Sequence, residues 1–147
     1  MPRSPMPARV SPHITWKELG CKDGTPYPAK WTDRAIVLAA EFERIRVECG
    51  GLPITIGSAY RTPSHNKAIG GAVQSQHLQG RALDLYPPAG MTVERFYAVI
   101  RTIAGHADSE IRGLGRYPTF VHIDIRPIAH SKLVVWRGSR AWAETKE

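Results

Sequence analysis

The sequence has little of what marks several specialised protein classes. It has two cysteines in 147 residues, so it has neither a disulfide framework nor the cysteine spacing of a zinc ribbon. No run approaches the roughly 18 consecutive apolar residues of a membrane helix. The first residues, MPRSPMPARVSPHITW, contain no apolar core, so we expect no secretory signal peptide. Internal repeats and low-complexity tracts are also absent from the sequence.

The composition is that of an ordinary globular domain with a basic surface. Hydrophobic residues make up 42% and charged residues 22% of the chain, and this length is enough for one hydrophobic core. The net charge of +7 favours an anionic partner, either nucleic acid or an acidic bacterial wall, but it also fits a merely soluble surface. Basic helices and RNA-binding motifs are absent, so no nucleic acid is expected as partner.

The sequence predicts a single domain between two short terminal segments. Residues 1–12 are rich in proline and basic residues and are expected to form a flexible arm. Residues 13–137 form the predicted domain, and residues 138–147 form a basic and polar tail. Cys21 and Cys49 are expected to be plain thiols, with a disulfide between them as the alternative.

Periodicity predicts an α+β fold, in which helices flank a central antiparallel sheet that carries the candidate site. The predicted helices are residues 32–49, 62–69 and 92–105. The predicted strands are residues 52–61, 81–86, 111–117, 120–126 and 132–136. Thr32 is the predicted cap of the first helix, and Thr62 of the second.

Two of these strands place polar residues opposite apolar ones. Side chains alternate between the two faces of a strand, so Asp84 in RALDLY and His122 and Asp124 in FVHIDIR lie on the face away from the core. If the strands are neighbours, these residues share a surface, and His77 on the preceding loop can fold over it. On spacing alone, an ordinary role as strand or surface residues is the alternative for each of them.

Two imidazoles and one carboxylate are a common shell for a catalytic zinc ion, with the fourth position left for water. His77, Asp84 and His122 would then hold one Zn²⁺ per chain. Zinc lowers the pKa of a bound water and polarises a carbonyl group. Asp124 is placed to act as the general base that takes the proton of this water and passes it to a leaving amine.

Three motifs carry a family resemblance. SQHLQGRALDLY resembles the S-x-H-x-x-G-x-A-x-D motif of zinc D-alanyl-D-alanine carboxypeptidase-type peptidases, in the lysostaphin/D-Ala-D-Ala-peptidase/hedgehog superfamily. SAYRTPSHN resembles an upstream segment of that family, and GRYPTFVHIDIR resembles the H-x-D segment of its murein-peptidase branch. HITWKELGCKDG resembles the N-terminal segment of a branch found in phage and bacterial wall enzymes.

The resemblance implies a zinc peptidase that cleaves peptidoglycan stem peptides or cross-links, as carboxypeptidase or endopeptidase, and thus a wall-lytic enzyme. It implies that His77, Asp84 and His122 bind zinc and that Arg61 binds a peptide carboxylate, a contact suited to a planar guanidinium. Ser75 is a second candidate for substrate binding, or else a hydroxyl that stabilises the loop. We expect synthesis in the cytoplasm and action on the wall after release or export by another route.

The sequence departs from the family pattern at one position. Several relatives have the catalytic glutamate three residues before the last zinc ligand, where this chain has Thr119, which cannot act as a base. A catalytically inactive, hedgehog-like module that binds metal and cell wall or a virion component is therefore the alternative. The other histidines are expected to be structural or exposed, and these are His13, His65, His106 and His130. For His65 the alternative is a place in the lining of the cleft.

Overall fold

The computed structural model describes residues 7–139. In chain order the elements are β1 (Arg9–Ser11), β2 (Ile14–Thr15), α1 (Trp16–Leu19), α2 (Thr32–Glu48), β3 (Thr55–Ser58), α3 (Pro63–Ala68), β4 (Ala82–Tyr86), α4 (Val93–Ala104), β5 (Gly113–Arg116), β6 (Val121–Asp124) and β7 (Val134–Arg137). Short 3₁₀ turns at Ala29–Trp31, Gln76–Gln79 and His130–Lys132 join some of them. This mixture of helices with a sheet is the predicted α+β class.

A five-stranded sheet in the order β3-β4-β6-β5-β7 forms the centre of the molecule. The first three pairings are antiparallel, as predicted. The last pair is parallel, so the prediction of a wholly antiparallel sheet was wrong at this edge. Residues 125–133 leave the end of β6, pass the start of β5 and enter β7 on its far side, so β7 runs in the same direction as β5.

Helices α2 and α4 supply much of the core that covers one face of the sheet. Leu38, Phe42 and Ile45 of α2 are buried in this core, as is Cys49, which directly follows the helix. In α4 the buried residues include Phe96, Ile100 and Ile103. From the sheet the core receives Leu83, Leu85, Leu114, Val121 and Ile123. Cys21 and Cys49 are both buried free thiols.

The caps of the helices were predicted with mixed success. The side chain of Thr62 accepts a hydrogen bond from the backbone N–H of His65, so it caps α3 as predicted. The predicted cap at Thr32 was wrong, because Trp31 occupies that position. Thr32 is instead the first helical residue, and its hydroxyl donates to the carbonyl of Ala29 in the preceding 3₁₀ turn.

The N-terminal part of the described chain forms a two-stranded sheet of β1 and β2. Strand β1 belongs to the stretch predicted as an arm, and Val10 packs against the core. Residues 1–6 and 140–147, which contain the rest of the predicted arm and most of the predicted tail, lie outside the described residues. Among residues 7–139, no helix is long and apolar enough to cross a membrane.

Candidate metal centre

Neighbouring strands bring two of the three predicted metal ligands together. Asp84 of β4 lies directly opposite His122 of β6 in the sheet register, and Oδ1 of Asp84 is 3.0 Å from Nδ1 of His122. The flanking residues Leu83 and Leu85 point into the core. The alternation read from the sequence therefore places this pair on the face away from the core.

His77 reaches the same carboxylate from the 3₁₀ turn Gln76–Gln79. Its Nε2 is 3.1 Å from Oδ1 of Asp84. The turn begins at Ser75, whose hydroxyl accepts the backbone N–H of His77, and ends at Gly80 with φ of 64°, a left-handed conformation that favours glycine. His77, Asp84 and His122 thus place one ligand atom each within 4.8 Å of one another, and all three are buried.

The outer nitrogen of each imidazole faces a group that only accepts hydrogen bonds. Nδ1 of His77 lies 2.5 Å from the carbonyl oxygen of Ala59, so this nitrogen carries the proton. Nε2 of His122 lies 2.7 Å from Oδ2 of Asp124, and this nitrogen is the donor by the same reasoning. When the rings are neutral, as ligands of a metal ion must be, their inner nitrogens therefore present lone pairs to the carboxylate of Asp84.

Two nitrogen lone pairs that face one anionic oxygen are repelled by that oxygen unless a cation lies between the nitrogens and the oxygen. The donor set fits a divalent metal ion, and two imidazoles with one carboxylate are suited to Zn²⁺. Burial alone would raise the pKa of the Asp84 carboxyl, but burial is outweighed when His77 and His122 are protonated, because their charges and hydrogen bonds lower this pKa. The carboxylate is consequently ionised and ready to bind a cation.

Arg61 is buried beside this carboxylate. Its Nη2 donates to Oδ2 of Asp84 (3.2 Å), its Nε to the hydroxyl of Ser58 (3.0 Å) and its Nη1 to the side-chain oxygen of Asn66 (3.2 Å). The exposed fraction of Arg61 is 1%. The guanidinium therefore holds the oxygen of Asp84 that faces away from the histidines, whereas its predicted contact with a substrate carboxylate stays a prediction.

Ser75 is also buried, with an exposed fraction of 1%. Its contact with the N–H of His77 is that of a hydroxyl that stabilises the loop, one of the two roles considered from the sequence. Its role in substrate binding stays a prediction.

Asp124 lies on the far side of His122 from Asp84. Besides Nε2 of His122, its carboxylate accepts Nε (2.8 Å), Nη2 (2.6 Å) and the backbone N–H (3.2 Å) of Arg126. Burial would raise the pKa of this carboxyl, but the hydrogen bonds from Arg126 and His122 outweigh burial and lower it to about 2. Asp124 is thus an ionised acceptor that fixes which nitrogen of His122 carries the proton.

Two glycines of β5 make room for this arrangement. Gly113 pairs with Asp124 and Gly115 with His122. A Cβ atom on Gly113 would lie 2.1 Å from Oδ2 of Asp124, and one on Gly115 would lie 2.6 Å from the ring of Trp136. The sequence reasoning placed both glycines in a strand but did not connect them with the site, although a glycine inside a strand is a sign of close approach.

The sequence reasoning also missed Arg126 and Trp136. The indole ring of Trp136 lies 5.1 Å from the ring of His122 and 5.3 Å from the guanidinium of Arg126, and its N–H donates to the hydroxyl of Tyr117. The sequence offered one signal for Arg126: it stands two residues after Asp124 in FVHIDIR, so the two opposite charges lie on the same face of the predicted strand. The position of Trp136 depends on the parallel pairing of β7.

Comparison with known proteins agrees with this geometry. A sequence profile described as peptidase M15 matches residues 12–124, more than half of the chain. The chain belongs to the peptidase M15 family. Its matched region contains the three candidate ligands His77, Asp84 and His122, and its fold and candidate ligand set support the predicted Zn²⁺ cofactor.

The M15 chain is also similar to a curated protein, the zinc D-Ala-D-Ala carboxypeptidase of Streptomyces albus G. The two are 33% identical over 84 residues, which make up 57% of this chain and 31% of the relative. The chain thus matches about a third of the length of that carboxypeptidase.

Proposed function

We propose that this chain is a zinc-dependent peptidase that hydrolyses an amide bond in the peptide part of peptidoglycan. The observation that carries the proposal is the convergence of His77, Asp84 and His122, with both inner ring nitrogens directed at one carboxylate oxygen. Membership of a peptidase family and similarity to a zinc D-Ala-D-Ala carboxypeptidase support the substrate class. The net charge of +7 favours binding to an acidic wall.

His77, Asp84 and His122 would hold the zinc ion, which supplies a Lewis acid that activates water and polarises the amide carbonyl. The carbonyl of Ala59 keeps the proton of His77 on Nδ1, and Asp124 keeps the proton of His122 on Nε2. Both rings then direct a lone pair at the metal position without rearrangement. Such orienting contacts raise metal affinity and are part of the working site.

In this proposal Asp124 is a positioning residue, although the sequence interpretation made it the general base. A general base works best when its pKa is near the working pH, whereas the pKa of Asp124 is about 2. Its oxygens also accept four hydrogen bonds from Arg126 and His122. These contacts support a role in holding His122.

The proposal is tested by incubating the zinc-loaded chain with purified peptidoglycan and muropeptides, and by identifying released fragments by mass spectrometry. We expect cleavage that a chelator abolishes and that zinc restores. His77→Ala should lose both zinc and cleavage, because it removes one of three ligands. His106→Ala, the same change at an exposed histidine, should retain both.

The fragments would also define the bond: release of D-alanine indicates a carboxypeptidase, and new amino termini within the cross-links indicate an endopeptidase. Zinc binding without cleavage of any fragment would contradict the enzyme proposal.

A second candidate function is a metal-containing module that binds peptidoglycan without cleaving it. Two observations favour it. Thr119, which cannot act as a base, stands where several relatives have the catalytic glutamate. The carboxylate of Asp124 already accepts hydrogen bonds from Arg126 and His122. Sedimentation of the zinc-loaded chain with insoluble peptidoglycan, with intact glycan-linked peptides after long incubation, would support this function.

A further inference from the structure

A second group of metal-ligating side chains lies outside the centre described above. The thiol of Cys21, a carboxylate oxygen of Asp23 and a ring nitrogen of His65 all lie within 4.8 Å of one another. The sequence reasoning treated Cys21 as a plain thiol and His65 as structural or lining the cleft, because the residues are separated in the chain and belong to no recognised spacing. The fold brings them together.

A tight loop positions the first two residues. The backbone N–H of Cys21 donates to the carbonyl of Thr25 (2.8 Å), and the N–H of Gly24 donates to the carbonyl of Cys21 (3.0 Å). Gly24 has φ of 97°, in the region that favours glycine. The N–H of Thr25 donates to Oδ1 of Asp23 (2.9 Å). The loop is therefore closed by its own hydrogen bonds and holds Cys21 and Asp23 in fixed positions.

The first turn of α3 brings the imidazole to this loop. The hydroxyl of Thr62, which caps α3, donates to Oδ2 of Asp23 (2.7 Å). The same hydroxyl accepts the N–H of His65 (3.2 Å) and lies 3.9 Å from the sulfur of Cys21. One residue, Thr62, thus connects all three potential ligands. The N–H of Tyr60 also donates to the carbonyl of Leu19 (3.1 Å), which ties the two segments together just before the cluster.

The burial of the three groups suits a site that exchanges with solvent. Cys21 is buried, His65 is half-buried and Asp23 is exposed. An ion can therefore approach from the side of Asp23 without any opening of the fold, and a water molecule can complete its coordination from the same side. Thiolate, imidazole and carboxylate together select a borderline-soft divalent ion such as Zn²⁺ over Mg²⁺ or Ca²⁺.

We propose that Cys21, Asp23 and His65 form a second metal-binding site, for a divalent ion of the zinc class, that pins the loop 21–25 to the first turn of α3. Binding deprotonates the Cys21 thiol and releases its proton to solvent. The ion replaces the weak contact of the sulfur with Thr62 by a bond to the metal. The site is separate from His77, Asp84 and His122 and does not rest on the proposed peptidase function.

Cobalt distinguishes the two sites, because only the second contains a thiolate. The reduced full chain is titrated with Co²⁺, and the near-ultraviolet thiolate-to-cobalt charge-transfer band is measured. We expect the band in the wild type and in His77→Ala, which lacks a ligand of the first centre. Cys49→Ser, the same substitution at the other buried thiol, should also retain it.

Cys21→Ser should abolish the band, and His65→Ala should shift its midpoint to higher cobalt concentration. Circular dichroism of each variant separates a loss of folding from a loss of the metal ligand. After zinc loading, Cys21→Ser should also hold one ion fewer than the wild type. Absence of the band in the wild type at excess Co²⁺, its persistence in Cys21→Ser, or an unchanged midpoint in His65→Ala would overturn the proposal.

Discussion

Each imidazole of the metal centre is held by an acceptor on the side away from Asp84. For His77 the acceptor is the carbonyl of Ala59, and for His122 it is the carboxylate of Asp124. A backbone carbonyl cannot be removed by substitution, but a carboxylate can be replaced by an amide. Substitution of Asp124 therefore tests directly whether this contact orients His122 for metal binding.

We expect Asp124→Asn to weaken zinc affinity by about 10- to 100-fold. An amide can donate to Nε2 of His122 and so place the ring proton on Nδ1, the atom that faces Asp84. Zinc affinity is measured by competition with a chromogenic chelator. Asp108→Asn, the same change at an exposed aspartate that pairs with Arg44, is the control. Unchanged zinc affinity with lost cleavage would instead assign Asp124 the role of general base.

The convergence of the three candidate ligands could be anticipated from the sequence because each residue depends on a local pattern. Alternation along β4 and β6 separates Asp84 and His122 from their apolar neighbours, and the motif SQHLQGRALDLY supplies His77. The motif SAYRTPSHN likewise pointed to Arg61 as a candidate for substrate binding, but it did not predict the hydrogen bond of Arg61 to Asp84. Such contacts depend on side chains from separate segments, and their geometry is not contained in the spacing of either segment.

Strand β5 leaves room for the candidate centre because it has glycines in place of larger residues on one face. Its residues alternate between Leu114, which is buried in the core, and two glycines on the opposite face. That face receives Asp124 from β6 and Trp136 from β7. The absence of side chains on one face of β5 thus leaves the space in which the carboxylate and the indole lie.

We expect Gly113→Ala to displace the carboxylate of Asp124 and to lower both stability and zinc affinity. The added Cβ would lie 2.1 Å from Oδ2 of Asp124, and overpacking of this kind costs about 1–3 kcal/mol. Urea unfolding and chelator competition measure the two effects. Gly105→Ala, where the nearest atom would be 3.4 Å away, should change the free energy of unfolding less. Equal stability of both variants would contradict the packing account.

The edges of the sheet were harder to predict than its centre. The strands β4, β5 and β6 were recognised from alternation and turns, and the antiparallel pairing of β5 with β6 follows from the short connection 117–120. Helix α4 and strand β5 separate β4 from β6 in the chain, so the pairing of β4 with β6 was only a condition of the predicted site. The parallel pairing of β7 with β5 depends on the route of residues 125–133, which passes one strand before joining the sheet. A strand pattern gives no direction, so this pairing could not be derived from KLVVW alone.

The N-terminal sheet of β1 and β2 is joined to the rest of the described structure through Glu43 of α2. Its carboxylate accepts the hydroxyl of Ser11 (2.6 Å) and the backbone N–H of His13 (2.9 Å), and Nδ1 of His13 lies 2.7 Å away. Burial would raise the pKa of Glu43, but these hydrogen bonds outweigh burial and lower it. The first strands are thus tied to the helix by an ionised group.

We expect Glu43→Gln to lower the free energy of unfolding at pH 7 by about 1 kcal/mol or less, as is usual for half-exposed ionic contacts. Because the pKa of Glu43 is lowered on folding, its carboxylate contributes stability above the pKa of the unfolded chain, about 4.3, and this contribution is lost as the pH falls through the lowered value. The difference between wild type and variant should therefore shrink on acidification.

Urea unfolding between neutral and acidic pH tests this, with Glu48→Gln, an exposed residue near the end of the same helix, as control. A difference that stays constant down to the acidic limit would show that the hydrogen bonds of Glu43 do not depend on its charge.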